Sequence, residues 1–257
     1  MFTKRRKFVL TSVILSLGFV GVSMLDEQYR LHAIALLSVI SLLLFYWSLA
    51  EGIERNATLL VLVLPALYTL GVGLFWFLLP SSIYATLPVV SIYGIGTYAL
   101  VSTSNIFIVS AFRKIALSRA AKGVGFVLTL FTSFLLYDAI LSLRLVPFLL
   151  VPIVFITTLP LYLQGIWAGK MSKDLPMQLL AYSAIASWGI SIVALFLHFW
   201  PVTLVVGSIF LTVAQYVVLG LGQARIEGRL FKQTVREYLI VGAAVFVAML
   251  FVTNWRG

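Results

Sequence analysis

Asp138 is the acidic side chain that lies deepest inside an apolar stretch of this sequence, in the segment Leu135–Ile140. The apolar run around it ends about five residues further on, which places the carboxyl group roughly 7 Å below the membrane interface if the run is a spanning helix. A charge at that depth is costly unless it is paired, hydrated or protonated. Asp138 is therefore either a functional group or one half of a structural pair with a basic side chain.

Arg144 is a basic residue that could form such a pair, six residues further along the chain. Positions six apart do not share a helical face, so a direct ion pair requires the turn after the helix to fold back. His198 closes another apolar run beside Trp200, on the same predicted side of the membrane. A solvated interfacial side chain is the simpler interpretation of this histidine. The alternative is a small polar site that His198 shares with Asp138 and Arg144.

Asn105 and Gln215 are amides inside two further apolar runs. Amides inside spans hydrogen-bond to neighbouring helices or line a cavity, and the bond between helices is the interpretation we favour. Counted from the basic turn described next, Asn105 and Asp138 differ in depth by roughly 12 Å, so no direct pair is expected. The candidate intramembrane polar site thus comprises Asp138, Asn105, Gln215, His198 and Arg144.

A basic turn follows the apolar run that ends at Ser110, and no acidic residue interrupts its charges. Such a turn marks the cytoplasmic side of a membrane protein. It also attracts the anionic head groups of the cytoplasmic leaflet. The predicted lipid contacts are Arg113, Lys114, Arg119 and Lys122.

The composition excludes several kinds of chemistry. The chain is 62% hydrophobic and 10% charged, and it has no cysteine. A soluble domain carries roughly 25% charged residues. Disulfides and thiol catalysis are excluded, and two distant histidines, His32 and His198, do not suggest a metal site. The net charge of +10 lies in short turns, so head groups rather than nucleic acid are the expected partner. No catalytic site, cofactor or metal is expected.

Nine apolar runs must position these residues, each near the roughly 20 residues that cross a bilayer core. The first run follows the basic head Met1–Lys7; a signal peptide is the alternative, but the cleavage site is poor and a retained helix is expected. Two joins, at 142–146 and 199–202, are so short that hairpins, and hence seven spans, are the alternative. The runs are Phe8–Met24, Leu31–Ala50, Ala57–Leu79, Leu87–Ser110, Gly123–Leu143, Leu145–Ala168, Gln178–Trp200, Val202–Leu221 and Tyr238–Thr253.

The distribution of basic residues predicts the orientation. Cytoplasmic turns are rich in lysine and arginine. With nine spans and the N-terminus inside, 15 basic residues fall inside and 3 outside, which together are the 18 of the sequence. The fold class is therefore all-α: a polytopic transmembrane helical bundle of about nine spans, with the N-terminus inside and the C-terminus outside. Residues 1–257 are expected to form a single integral membrane domain.

One part of the chain resembles a known group of sequences. The segments Asn105–Phe107 and Leu117–Thr129 are similar to a stretch in an uncharacterised family of multi-pass membrane proteins from candidate-phylum bacteria. The resemblance covers the middle third of the chain. It implies a bacterial cytoplasmic membrane, and because the family has no known activity, it implies no function.

Three functions are consistent with this pattern. The first is a membrane-embedded binding or assembly subunit, which requires a membrane-protein partner. The second is a small transporter for an ion, lipid or apolar solute that uses Asp138 with Asn105 or Gln215. The third is an envelope-lipid transferase, which comes last because acid–base work requires several ionisable groups close together. Substrate, partner and oligomeric state do not follow from the sequence.

Overall fold

A computed structural model of the chain describes residues 3–53, 57–79, 83–112, 116–171 and 176–253. Every regular element in these ranges is helical, and nine helices there are long and apolar enough to cross a membrane. For the described residues, the prediction of an all-α fold with about nine helices able to span a membrane is confirmed. The helices are α1 (Lys4–Ser23), α2 (Glu27–Leu49), α3 (Val63–Phe77, preceded by the 3-10 helix Ala57–Leu62), α4 (Ile83–Phe112), α5 (Ser118–Ser142), α6 (Pro147–Lys170), α7 (Met177–His198), α8 (Leu204–Ile226) and α9 (Lys232–Val252).

The two short joins separate complete helices. Helix α5 ends at Ser142 and α6 begins at Pro147, and α7 ends at His198 before α8 begins at Leu204. The first join contains Arg144, whose backbone is left-handed with a φ of 45°. This conformation helps the chain to reverse its direction within a few residues. The seven-span alternative is therefore not observed.

Several helices begin earlier than the apolar pattern predicted, and the differences are largest, at five and six residues, in α5 and α9. Helix α5 starts at Ser118 rather than Gly123, and α9 starts at Lys232 rather than Tyr238. The added residues include Arg119, Lys122 and Arg236, which are good helix formers. Hydrocarbon sets where the apolar run ends, but the helix continues wherever its backbone hydrogen bonds extend into the polar layer. Hydropathy thus locates the spans but not the helix ends.

The described residues divide into two compact units. The first unit contains α1 to α4 and α5 as far as Thr132, together with Met171. Its core is aromatic: Phe19 lies 5.0 Å from Tyr93, which stacks on Tyr68 at 5.7 Å between ring centroids. The Ser12 hydroxyl donates to the carbonyl of Gly94 at 2.6 Å and ties α1 to α4.

The second unit contains α5 from Ser133, α6, α7, α8 and α9. Helices α6 and α8 approach closely at Gly165, where an added Cβ would lie 2.8 Å from Leu219. The Gln223 side-chain amide donates to the Gly165 carbonyl at 2.7 Å. Helix α9 is peripheral, since Met249 is the one buried residue in it. The prediction that residues 1–257 form a single domain stays a prediction.

Candidate functional site

Asp138 lies on α5 within the second unit and is buried, with 7% of its surface exposed. The Ser208 hydroxyl of α8 donates to its Oδ1 at 3.2 Å. The backbone carbonyl of Asp138 also accepts a hydrogen bond from the Ser142 hydroxyl at 2.7 Å. A single neutral hydroxyl is a weak partner for a buried carboxylate, because ions in low dielectric need a countercharge or several donors.

No basic side chain forms an ion pair with Asp138 among the residues that the structure describes. Arg144, the predicted structural partner, is exposed and lies in the join after α5. The other ionisable side chains in the described helices of this unit are tyrosines or lie near the helix ends. Those near the ends are Lys170, His198, Arg225, Lys232, Arg236 and Glu237. Asp138 is thus an isolated acid inside its helix.

Gln215 forms a second polar contact between α5 and α8. The Tyr137 hydroxyl donates to its Oε1, and both side chains are fully buried. Ser208 and Gln215 are seven residues apart on α8, which puts them on one face and roughly 10 Å apart along the axis. One stripe of α8 therefore faces both Asp138 and Tyr137. The Nε2 of Gln215 has no hydrogen-bond partner in the described part of the chain.

Three hydroxyls that have no hydrogen-bond partner among the described residues lie near the level of Gln215. Gly165 on α6 packs against Leu219 on α8. Tyr162 and Gln215 each lie about one turn before these residues, so they are at a similar level along the two helices. The Tyr182 hydroxyl donates to the Val218 carbonyl at 3.4 Å, which places Ser183 and Ser187 on α7 within about one turn of the same level. The hydroxyls of Tyr162, Ser183 and Ser187 are buried and unpartnered in the described ranges. The middle of the second unit is thus polar.

Arg144 and His198 line one pocket at the end of the second unit, beyond Asp138 on α5. The pocket has a volume of about 260 Å³. Its walls come from the last turns of α5 and α7, from the joins that follow these helices and from the first turn of α8. The structure therefore brings together two of the five predicted residues here, and its other lining residues are Leu141, Leu197, Trp200, Val202, Thr203, Leu204 and Gly207.

Asn105 and the basic turn belong to the first unit. Asn105 is half-buried on α4. Arg119 is exposed and Lys122 is half-buried in the first turns of α5. Arg113 and Lys114 lie outside the described residues. The predicted contact of this turn with anionic lipid stays a prediction.

A charged cluster at the start of the chain was not predicted. Glu51 follows α2, and its carboxylate accepts a hydrogen bond from the Lys7 ammonium at 2.8 Å, with Lys4 at 3.5 Å. The Lys7 hydrogen bond and charge, with a smaller effect of Lys4, lower the pKa of the Glu51 carboxyl below its ordinary value. Lys7 also lies 5.6 Å from the centre of the Trp47 ring. The spacing of Lys4 and Lys7, one turn apart, was the available signal.

Comparison with known proteins gives one result. A family model described as a protein of unknown function (DUF5656) matches residues 8–252, and the chain belongs to this family. No curated protein and no solved structure matches it. In the described part of the chain, no three histidine, aspartate or glutamate side chains are grouped so that they could hold a metal ion.

Proposed function

We propose that this DUF5656 protein, a multi-pass integral membrane protein, is a small proton-coupled transporter whose proton-carrying group is Asp138. The observation that carries the proposal is the buried carboxylate, which has the Ser208 hydroxyl as its one described side-chain donor. An acid held without a countercharge inside a span is costly for stability. Such a group is useful where a proton must be gained and lost.

The surroundings of Asp138 support the same proposal. On the side towards the helix end, Leu141 and Gly207 connect the Asp138–Ser208 contact to the pocket lined by Arg144 and His198. On the other side, Tyr137 and Gln215 lead to the polar middle of the unit. Polar side chains therefore lie at three levels of the unit: at the pocket, at Ser208 and at Gln215.

The test is proton flux into liposomes that contain the full chain. A potassium gradient with valinomycin drives protons, and a pH-sensitive dye inside the vesicles reports them. We expect Asp138→Asn to abolish the protein-dependent flux, because asparagine keeps the size and an acceptor for Ser208 but cannot carry a proton. Glu51→Gln is the matched control, since it removes an exposed carboxyl outside the spans. Flux that is equal in Asp138→Asn and the unsubstituted protein would refute the proposal.

The second candidate function is a membrane-embedded binding or assembly subunit. Helix α9 favours it, because Met249 is its one buried residue and most of its apolar surface is uncovered. Lipid or a partner helix could cover this surface. Native mass spectrometry of gently extracted protein distinguishes the two: a stoichiometric second polypeptide supports the subunit, and its absence leaves α9 a lipid-facing helix. No specific observation favours an envelope-lipid transferase.

The orientation and the membrane are also proposals. We propose a bacterial cytoplasmic membrane with the N-terminus inside, supported by the excess of basic residues in one set of joins. The pocket of Arg144 and His198 then faces outwards. Because the chain has no cysteine, single cysteines can be introduced without background. We expect an impermeant maleimide to label Met24→Cys in intact cells and to leave Gly228→Cys unlabelled. The reverse pattern would contradict the proposed orientation.

A further inference from the structure

The pocket at the end of the second unit has an unusual balance of charge. Arg144 reaches it from the α5–α6 join and His198 from the last turn of α7, and none of the described residues that line it is acidic. The Arg144 side chain has no ion pair or hydrogen bond to the described residues, and the His198 ring packs at a steep angle to the Phe199 ring, with 5.2 Å between the ring centroids. A guanidinium without a carboxylate partner in a pocket is suited to an anion with two oxygens, because its N–H groups form a fork.

The backbone around the pocket adds to the positive potential. Thr203 precedes α8 and its side chain does not cap the helix. The first-turn amides of this 23-residue helix therefore face the pocket region without a side-chain acceptor from Thr203. Trp200 contributes a wall whose Nε1 is already bonded to the Thr253 hydroxyl at 3.1 Å. The other side-chain donors in the described lining are those of Arg144, His198 and Thr203, and of these Arg144 carries a permanent positive charge.

The size of the pocket limits what it can hold. A volume of about 260 Å³ is below the range of about 300 to 1,000 Å³ that is usual for drug-sized ligands. It is many times the roughly 10–15 Å³ that a cavity needs, on the same measure, to hold one water molecule. We propose that this pocket binds a small oxyanion, a carboxylate or a phosphate, through Arg144 and His198. This inference rests on the proposed function, for which it names the substrate class.

The position of the pocket links binding of the anion to protonation of Asp138. Leu141, in the pocket wall, lies three residues after Asp138 on α5, which is roughly 5 Å along the helix axis. Gly207, also in the wall, precedes Ser208, which donates to Asp138. An anion in the pocket disfavours a negative charge on the nearby carboxylate. Its binding therefore promotes transfer of a proton from the outer solution to a carboxyl oxygen of Asp138, so that anion and proton move together.

Binding is measured on the full chain in discs of phosphatidylcholine, by equilibrium dialysis against radiolabelled inorganic phosphate and, separately, radiolabelled acetate. We expect at least one probe to bind with one site per chain. Arg144→Asn removes the charge with a residue that tolerates the left-handed backbone, and it should weaken binding roughly tenfold, the equivalent of one charge-assisted hydrogen bond. Arg144→Lys should keep part of the affinity, and His198→Gln should weaken binding less than Arg144→Asn.

Arg30→Gln is the matched control, because Arg30 is a cation on the same predicted side that lies outside the pocket. Unchanged binding in Arg30→Gln is expected. Equal losses in Arg30→Gln and Arg144→Asn, equal binding with and without Arg144, or no binding of either probe would overturn the inference. Asp138→Asn separates the two proposals: it should keep anion binding and lose proton flux. Proton flux that depends on Asp138 without any anion binding would leave the proposed function standing and remove this inference alone.

Discussion

The contact between Tyr137 and Gln215 allows a quantitative test of the polar middle of the second unit. Tyr137→Phe removes the one described donor to the Gln215 Oε1, and the amide, already without a partner at Nε2, becomes entirely unsatisfied. A buried polar group left unsatisfied costs about 1–3 kcal/mol. Hydrogen bonds between membrane helices average about 0.6 kcal/mol and reach about 1.7 kcal/mol in double-mutant cycles. Because both side chains are fully buried, we expect a loss of about 1–2 kcal/mol.

A double mutant isolates the interaction energy between Tyr137 and Gln215. Gln215→Leu alone leaves the Tyr137 hydroxyl without an acceptor but also removes the unpartnered Nε2, so its net effect is smaller. Tyr137→Phe with Gln215→Leu removes both polar groups and should be more stable than the sum of the single changes predicts. We expect a coupling energy of about 1 kcal/mol or more.

The assay is reversible unfolding in mixed micelles of increasing sodium dodecyl sulfate content, followed by far-ultraviolet circular dichroism. Tyr98→Phe is the matched control, because it removes the hydroxyl of a tyrosine on α4 whose surface is 38% exposed. It should change the free energy of unfolding by less than about 0.5 kcal/mol. A coupling energy indistinguishable from zero would refute the argument that Tyr137 and Gln215 form a buried pair.

Two further predictions concern the first unit. Gly125→Ala should destabilise the protein by roughly 1–3 kcal/mol, because the added Cβ would lie 2.8 Å from the Phe107 ring. Gly123→Ala has nothing within 4 Å of the added Cβ, so it should stabilise α5 by about 0.5–1 kcal/mol. The same unfolding assay measures both changes, and equal effects would contradict the packing of Gly125 against Phe107. The lowered pKa of Glu51 means that its ion pair with Lys7 stabilises the fold fully above the ordinary value of 4.5 and is lost as the pH falls through the lowered pKa. Unfolding of Glu51→Gln should therefore lack this acidic decline, and an identical pH profile would contradict the assignment.

Much of the fold was predictable because hydrocarbon leaves few alternatives. Backbone groups in a bilayer must bond within their own segment, so long apolar runs become helices. The short joins at Arg144 and Trp200 were ambiguous, since hydropathy does not report where a helix stops. The early starts of α5 and α9 were missed for the same reason. These residues lie where the apolar signal ends but helical hydrogen bonding continues.

The candidate site was predictable only in part. Asp138 stands out in sequence because charge is rare inside spans. Its contact with Ser208 was not predictable, because it depends on how α5 packs against α8. The same packing directs Gln215 towards Tyr137. Arg144 lies in one pocket with His198 and forms no ion pair with Asp138. From the sequence, an assembly subunit ranked above a transporter. We reverse that order because the Asp138 carboxylate has no ion pair with any described residue.

The most direct measurement of the central claim is infrared difference spectroscopy of the full chain in lipid while the pH is stepped. A protonated carboxyl group has a carbonyl stretch that a carboxylate lacks, so the gain of a proton by Asp138 is visible as a band. The account predicts a band that rises as the pH falls, that is absent in Asp138→Asn and that persists in Glu51→Gln. A spectrum that is the same with and without the Asp138 carboxyl at every pH would contradict it.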